Sequence, residues 1–189
     1  MYNERIICAG FGGQGVMSLG KLIAFAGMLD GRHVTWMPSY GPEMRGGTAN
    51  CSVVVADQPV GSPIVTTNAT SLIVMNLPSL ERFEHSVISD GLILFNTSLI
   101  NREVERLDVV AQPLQANELA AECGNPKATN MVMLGAYMAL REAPQMDHVV
   151  KAIKKVFGTR SSKNIDLNMR ALEAGIRAVT GPDETRKAA

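Results

Sequence analysis

The stretch RIICAGFGGQGVMSLGKLIAFAGMLDG, residues 5 to 31, decides the fold of this chain. Its first part, Arg5 to Gly10, is a short apolar run with β-branched residues that ends in glycine, which is typical of a buried parallel strand. From Val16 to Leu29 the apolar residues recur at helical spacing, and Gly31 stands where a helix-ending glycine is expected. The stretch therefore predicts a strand, a glycine turn and a helix.

Further apolar runs extend this pattern along the chain. HVTWMP (residues 33–38) predicts a second strand, which completes a β-α-β unit with a right-handed crossover. Buried strands are also predicted over residues 50–56, 71–76, 91–96 and 107–113, and a helix over residues 79–87.

The second half of the chain has a different character. Helical periodicity without strand-like runs is found in ANELAAECG, ATNMVMLGAYMALRE, MDHVVKAIKKVFG and NIDLNMRALEAGIRAV. The predicted fold class is α/β, as a Rossmann-like three-layer domain with a mostly parallel central sheet and a helical C-terminal half.

Length and composition indicate one globular domain. The chain has 189 residues, of which 46% are hydrophobic and 19% charged, enough to build a substantial core. We find no linker or internal repeat, and we expect residues 1–180 to form a single domain. Residues 181–189 have the composition of a flexible tail.

The balance of charge argues against partners that bind through bulk electrostatics. Lysine plus arginine (18) equals aspartate plus glutamate (18), and the basic residues form no run. Nucleic acid and anionic membrane surfaces are therefore not expected as partners. The apolar stretches are short or interrupted, and Glu4 stands where the apolar part of a signal peptide would begin, so we expect a cytoplasmic protein.

The cysteines and histidines carry no metal-binding pattern. The cysteines have no CxxC spacing, and the histidines have neither HxxxH nor HExxH spacing, so we expect neither an iron–sulfur cluster nor a metal ion in this chain. Cys8 and Cys51 lie within apolar runs, where we expect them to pack as small hydrophobic side chains.

The glycine turn GFGGQG matches the pattern G-x-G-x-x-G through Gly10, Gly12 and Gly15, after a strand and before a helix. Such glycines let the backbone approach a phosphate at a helix N-terminus. A dinucleotide site would also need an acidic residue at the end of the second strand, but that strand runs into WMPSYG, and Asp30 precedes it. Three interpretations stay open: close strand–helix packing, a nicotinamide site, and a site that contacts a phosphate or a partner's cofactor. We favour the third.

Several segments together resemble one enzyme family. GFGGQGVMSLGKLIAFAG, followed by PSYGPEMRGGTANCSVVVAD, GSPIV and NMVMLGA, is similar to the gamma subunit of the 2-oxoacid:ferredoxin oxidoreductases, the family that includes the pyruvate and 2-oxoglutarate enzymes and their indolepyruvate relatives. The resemblance covers residues from about Ile6 to about Ala136.

The resemblance implies an oxidoreductase complex rather than an enzyme of one chain. Its members decarboxylate a 2-oxoacid on thiamine diphosphate and Mg²⁺, pass electrons through iron–sulfur clusters to ferredoxin, and transfer the acyl group to coenzyme A. Thiamine diphosphate and the clusters lie in partner subunits (alpha, beta and a ferredoxin-like delta subunit or domain), so the lone chain is expected to be inactive. We lean towards 2-oxoglutarate as the substrate.

The resemblance also suggests that this chain completes the active site or the coenzyme A site and contributes to assembly of the complex, a role that we assign to its helical second half. We expect neither a catalytic nor a metal-binding residue, and the candidate cofactor-binding residues are Gly10, Gly12, Gly13, Gln14, Gly15, Tyr40, Glu43, Arg45, Gly46, Gly47 and Asn130. Two alternatives stay open: a stand-alone nucleotide-binding Rossmann oxidoreductase, and a purely structural interaction subunit.

The loop SYGPEMRGGTA, residues 39 to 49, holds the candidate of most interest. Arg45 is suited to bidentate pairing with a carboxylate or phosphate, and Gly46 and Gly47 let the chain pass close to that group. An internal pair between Glu43 and Arg45 is the alternative. Tyr40 either stacks on a ligand ring or covers the edge of the core.

Asn130 opens a predicted helix that is otherwise apolar. Its side chain either makes a hydrogen bond to a partner or a loop, or caps the helix. We expect the neighbouring methionines to serve packing rather than a cofactor site.

Overall fold

The structure of the chain is a computed structural model that describes residues 1–40, 48–141, 144–158 and 162–181. The strands are β1 (Asn3–Phe11), β2 (His33–Tyr40), β3 (Thr48–Ala56), β4 (Ala69–Val74), β5 (Val87–Asn96) and β6 (Val110–Leu114). The helices are α1 (Val16–Leu29), α2 (Leu77–Phe83), α3 (Ala116–Glu122), α4 (Thr129–Arg141), α5 (Met146–Phe157) and α6 (Ser162–Thr180), with a 3₁₀ turn at Glu84–Ser86. Of the predicted tail, only Gly181 lies within the described residues.

The strands form one six-stranded sheet in the order β2-β3-β1-β4-β5-β6. β1, β4, β5 and β6 pair in parallel, whereas β3 is antiparallel to both of its neighbours, β1 and β2. The predicted mostly parallel α/β sheet is confirmed. The predicted β-α-β unit needs a correction, because β1 and β2 run in the same direction but β3 lies between them.

Side chains of β1 alternate between the two faces of the sheet, so the strand contributes residues to a separate hydrophobic cluster on each face. Ile6 and Cys8 pack with residues of α1, α3, α4, α5 and α6. Ile7 and Ala9 face the other cluster, which includes Leu80 of α2. The sheet is therefore the middle of three layers, with most of the helices on one face.

Helix α1 lies close against β3 because glycines face that strand. A Cβ atom on Gly20 would lie 2.3 Å from Cys51 Sγ, and one on Gly27 would lie 2.8 Å from Val55 Cγ1. Cys8 and Cys51 are register partners on β1 and β3, and both are fully buried in the hydrophobic core, as the sequence predicted. The hydrogen bond between the Cys8 and Cys51 side chains, together with burial, raises the pKa of the Cys8 thiol.

Helices α4 and α6 also meet at glycines. A Cβ atom on Gly135 would lie 1.9 Å from the carbonyl oxygen of Leu172, and one on Gly175 would lie 1.9 Å from that of Val132. Each glycine therefore admits the backbone of the opposite helix. This packing holds α4 against the layer that covers the sheet.

Two predicted elements differ from the structure. Residues 107–113 were expected to form a buried strand, but β6 is one of the two edge strands of the sheet. Val110 is 55% exposed, and Leu107 lies outside the strand. The helix predicted over residues 79–87 starts earlier, because Asn76 caps it by accepting a hydrogen bond from the Ser79 N–H at 3.0 Å. It also ends earlier, since Val87 already belongs to β5.

Within the described part of the chain, no helix is both long enough and apolar enough to span a membrane.

Candidate functional site

The glycine turn follows β1 at its carboxyl end and leads directly into α1. The Gln14 N–H donates to the Phe11 carbonyl at 3.2 Å, and the Phe11 N–H donates to Gln14 Oε1 at 2.6 Å. Gly13 and Gly15 have φ values of 98° and 76°, a region that side-chain-bearing residues rarely occupy. Gly12 lies between Phe11 and Gly13 in the same turn.

Two glycines of the turn leave space for the side chains of other residues. A Cβ atom on Gly10 would lie 2.7 Å from Gln14 Oε1, and one on Gly15 would lie 2.6 Å from Asn130 Nδ2. Asn130 Nδ2 donates to the Gly15 carbonyl at 3.4 Å. Of the alternatives considered for Asn130, the structure shows the hydrogen bond to a loop, which joins two residues that are 115 positions apart in the sequence.

The N-terminus of α1 is open to a ligand. Gly15 occupies the N-cap position without a side-chain cap, and the first turn contains no acidic residue. The first N–H groups of the helix therefore keep their partial positive charge, which favours an anion at this end.

A pocket of about 590 Å³ lies next to this helix end. Its walls come from the glycine turn, the start of α1, the segment that leads into α4, the end of α5 and the first half of α6. The lining residues are Gly13, Gly15, Ser18, Asn125, Lys127, Asn130, Phe157, Gly158, Ile165 and Asn168.

The lining of this pocket suits an anion with a polar or aromatic group attached. Lys127 is the charged member of the described lining and stands two residues before α4. Ser18, Asn125 and Asn168 add neutral polar side chains, and Phe157, 44% exposed, adds an aromatic face. Lysine and helix N–H groups together are a common phosphate-binding set in proteins.

Sequence reasoning missed Lys127, Ser18, Phe157 and Asn168. A single lysine in the segment GNPKATN has no pattern of its own, and Phe157 and Asn168 belong to helices that were expected to serve assembly. The one available signal was the position of Lys127 just before Asn130, which had been singled out.

The second glycine-bearing loop joins β2 to β3 at the same edge of the sheet as the glycine turn. Thr48 pairs with Phe11, and Ala49 pairs with Tyr40, so both strand ends lie beside the end of β1. The candidate residues Glu43, Arg45, Gly46 and Gly47 lie outside the described residues, as does the side chain of Tyr40. Their predicted roles stay predictions.

The sheet order weakens the case for a dinucleotide site. In such a site the second strand lies beside the first, so that its terminal acid reaches the ribose. Here β3 intervenes, which moves the end of β2 to about 9–10 Å from β1, twice the usual strand spacing. Asp30 lies at the opposite end of α1, about 20 Å from the turn, and contacts His148 Nδ1.

Among the described residues, no group of three or more His, Cys, Asp or Glu side chains is arranged to hold a metal ion.

The model of the family described as pyruvate ferredoxin/flavodoxin oxidoreductase matches residues 5–178 of this chain. Among curated proteins, the chain is 42% identical over 172 residues to the ketoisovalerate oxidoreductase subunit VorA of Methanothermobacter thermautotrophicus. The match covers 90% of this chain but 35% of VorA, so the chain spans about a third of the length of that relative.

Solved structures share the fold. The gamma subunit of a keto/oxoacid ferredoxin oxidoreductase from Geobacter sulfurreducens matches 96% of this chain and 100% of its own, with a TM-score of 0.78 and 22% identity. A 2-oxoglutarate:ferredoxin oxidoreductase from Magnetococcus marinus, solved with 2-oxoglutarate, coenzyme A and succinyl-CoA bound, matches 97% of this chain and 32% of its own, with a TM-score of 0.85 and 22% identity.

Proposed function

The chain belongs to the pyruvate ferredoxin/flavodoxin oxidoreductase family, and on that premise we propose that it is the gamma unit of a 2-oxoacid:ferredoxin oxidoreductase complex. The complex oxidatively decarboxylates a 2-oxoacid to acyl-CoA and CO₂. Thiamine diphosphate, Mg²⁺ and the iron–sulfur clusters belong to the alpha, beta and ferredoxin-like delta partners, ferredoxin accepts the electrons, and the complex works in the cytoplasm.

Within this complex, the role we propose for the chain is to hold the phosphate groups of coenzyme A. The observation that carries this proposal is the pocket in which the open N-terminus of α1 meets Lys127. Coenzyme A supplies the thiol that accepts the acyl group. The residues of this chain bind and orient its phosphate-bearing end, with Lys127 and the first N–H groups of α1 as the donors.

The lining of the pocket fits such a ligand better than it fits a neutral one. A phosphate next to Lys127 and a helix N-terminus replaces its lost hydration with charge-assisted hydrogen bonds. Asn125, Asn130 and Asn168 offer amide groups that donate or accept, and Phe157 offers a surface for an adenine ring. Arg45 stays a proposed further contact to coenzyme A or to a partner subunit.

The identity to VorA favours a branched-chain 2-oxoacid as the substrate of the complex. This proposal replaces the preference for 2-oxoglutarate that the sequence alone suggested. Turnover of ketoisovalerate, 2-oxoglutarate and pyruvate by the reconstituted complex distinguishes the two.

The test of the pocket is a calorimetric titration of the purified full chain and of the complex with coenzyme A and with pantetheine, which lacks the phosphates. We expect Lys127→Ala to weaken coenzyme A binding by roughly tenfold to a hundredfold, the usual cost of losing a charge-assisted hydrogen bond. Pantetheine binding should not change. Lys151→Ala is the matched control, because Lys151 is an exposed lysine of α5 that does not line the pocket.

Other outcomes would favour the rival functions. Equal coenzyme A affinity for the Lys127→Ala and Lys151→Ala variants contradicts the proposed site. Saturable binding of NAD together with turnover by the lone chain would identify a stand-alone oxidoreductase. If the complex stays intact and its Michaelis constant for coenzyme A is unchanged by both Lys127→Ala and Arg45→Ala, the chain is a purely structural subunit.

A further inference from the structure

The side chain of Gln14 points into the protein rather than towards the pocket. Its Oε1 accepts a hydrogen bond from the Phe11 N–H at 2.6 Å and another from Asn76 Nδ2 at 3.4 Å. The amide reaches this position because Gly10 has no side chain: a Cβ atom there would lie 2.7 Å from Gln14 Oε1. Gly10, Gln14 and Asn76 therefore act as one unit.

Asn76 is a firm anchor for Gln14. It is 2% exposed and comes two residues after the end of β4, and its Oδ1 accepts the Ser79 N–H at 3.0 Å, which fixes its side chain at the start of α2. The preceding residue, Met75, donates its N–H to the carbonyl of Ala9 in β1 at 2.9 Å. The donor to Gln14 is thus tied to the strand from which the glycine turn emerges.

A second buried asparagine supports this arrangement from the next strand. Asn96, fully buried at the end of β5, donates through Nδ2 to the Met75 carbonyl at 3.5 Å. Its Oδ1 accepts the Ala116 N–H at the start of α3 at 3.2 Å. The side-chain amides of Gln14, Asn76 and Asn96 thus connect the ends of β1, β4 and β5 next to the glycine turn.

We propose that Gln14 and Asn76 form a latch that positions the glycine turn for its anionic ligand. Gln14 is then a positioning residue and makes no contact with the ligand itself. The latch closes the turn between Phe11 and Gln14, so that Gly15 and the first N–H groups of α1 face the pocket. This inference rests on the proposed binding of coenzyme A phosphates.

The test is a double-mutant cycle with Gln14→Leu, Asn76→Ser and the double variant, measured as the dissociation constant of the full chain for coenzyme A. Serine keeps an oxygen that caps α2 but is too short to reach Gln14. We expect each single variant to bind roughly threefold to tenfold more weakly, the effect of one lost hydrogen bond. The double variant should bind no more weakly than Gln14→Leu, because both changes open the same latch.

Two further measurements distinguish the latch from a direct contact between Gln14 and the ligand, and from unfolding of the variants. The ¹⁵N and amide proton shifts of Gly13 and Gly15 should move in the same direction in both single variants without ligand, whereas Asn101→Ser, an exposed asparagine in another loop, should leave them unchanged. The midpoint of urea unfolding of each variant checks that the chain stays folded.

The possible results are distinguishable. If Gln14→Leu weakens binding and Asn76→Ser does not, Gln14 contacts the ligand and the latch is wrong; additive losses in the double variant also overturn it. If Lys127→Ala leaves coenzyme A binding unchanged, the proposed function fails. In that case the chemical shifts of Gly13 and Gly15 still show whether the latch exists.

Discussion

Replacing Gly15 by alanine tests whether the contact with Asn130 shapes the site. Gly15 has φ 76° and ψ 16°, and a Cβ atom there would lie 2.6 Å from Asn130 Nδ2 and 2.7 Å from its Cγ. Gly31, at the other end of α1, has the same φ of 76°, but a Cβ atom there would meet nothing within 4 Å. Gly31→Ala is therefore a matched control with the same positive φ and no steric clash.

The expected difference follows from these two environments. Both variants bear the cost of placing alanine in the left-handed region, about 1–2 kcal/mol, and both gain the same reduction in unfolded-state entropy. Gly15→Ala in addition displaces the Asn130 side chain. The lost hydrogen bond costs about 0.5–1.5 kcal/mol and a strained rotamer about the same. Gly15→Ala should therefore lower the free energy of unfolding by about 1–3 kcal/mol more than Gly31→Ala does.

The assay is urea unfolding of both variants, with an unchanged m-value as the condition for comparison. In the double variant Gly15→Ala/Asn130→Ala, the amide no longer opposes the new methyl group, so we expect a coupling energy of at least about 0.5 kcal/mol. Equal free energies of unfolding for Gly15→Ala and Gly31→Ala would refute the reasoning, as would strictly additive losses in the double variant.

Two further predictions concern charges away from the pocket. Arg102→Met should lower the free energy of unfolding by about 3–5 kcal/mol, because it leaves the carboxylate of Glu84, 1% exposed and 2.8 Å from Arg102, without its ion pair. The double variant Arg102→Met/Glu84→Met should recover most of that free energy in urea unfolding, and a double variant that recovers none would contradict the pairing. Burial, with Glu4 next, raises the pKa of Tyr2 from 10.0 to about 12, and burial also raises the pKa of Tyr137. The fold thus favours neutral tyrosine, so stability is full below pH 10 and falls as the pH rises towards 12. Ultraviolet titration of the folded chain should show both tyrosines ionising later than free tyrosine, and Tyr2→Phe should raise the pH at which unfolding begins.

The helices were predictable because their signals are local. α1 spans Val16–Leu29, as predicted, since Gly15 directly before it and Gly31 two residues after it mark its ends in the sequence itself. The four helical segments of the second half are likewise present as α3 to α6. Apolar periodicity reports which face of a helix is buried, and that needs no knowledge of the partner.

The neighbours of a strand are not encoded in its own residues, which is why the position of β3 was missed. A clue lay in the connection, because residues 41–47 are too few for the crossover that two adjacent parallel strands require. A connection of that length favours an antiparallel pair. The same limit applies to β6, whose apolar residues gave no sign that it lies at the edge of the sheet.

The site was predictable only where its residues are contiguous. The glycine turn was found as a motif, but Lys127, Phe157 and Asn168 reach the pocket from elements more than a hundred residues further along the chain. The packing of α4, α5 and α6 in one layer brings these residues to the pocket, and no periodic pattern in the sequence indicates that packing. Asn130 was singled out because a polar residue in an apolar helix needs a partner.

Two glycines of the motif, Gly10 and Gly15, are required for a different reason from the one that the pattern suggests. Gly10 leaves space for the inward amide of Gln14, and Gly15 leaves space for Asn130, so both glycines are required by contacts within the protein. A domain of this fold that binds no phosphate would therefore still need glycine at these two positions. What points to an anion is the combination that the motif does not contain: a helix N-terminus without a side-chain cap, and Lys127 in the wall of the pocket beside it.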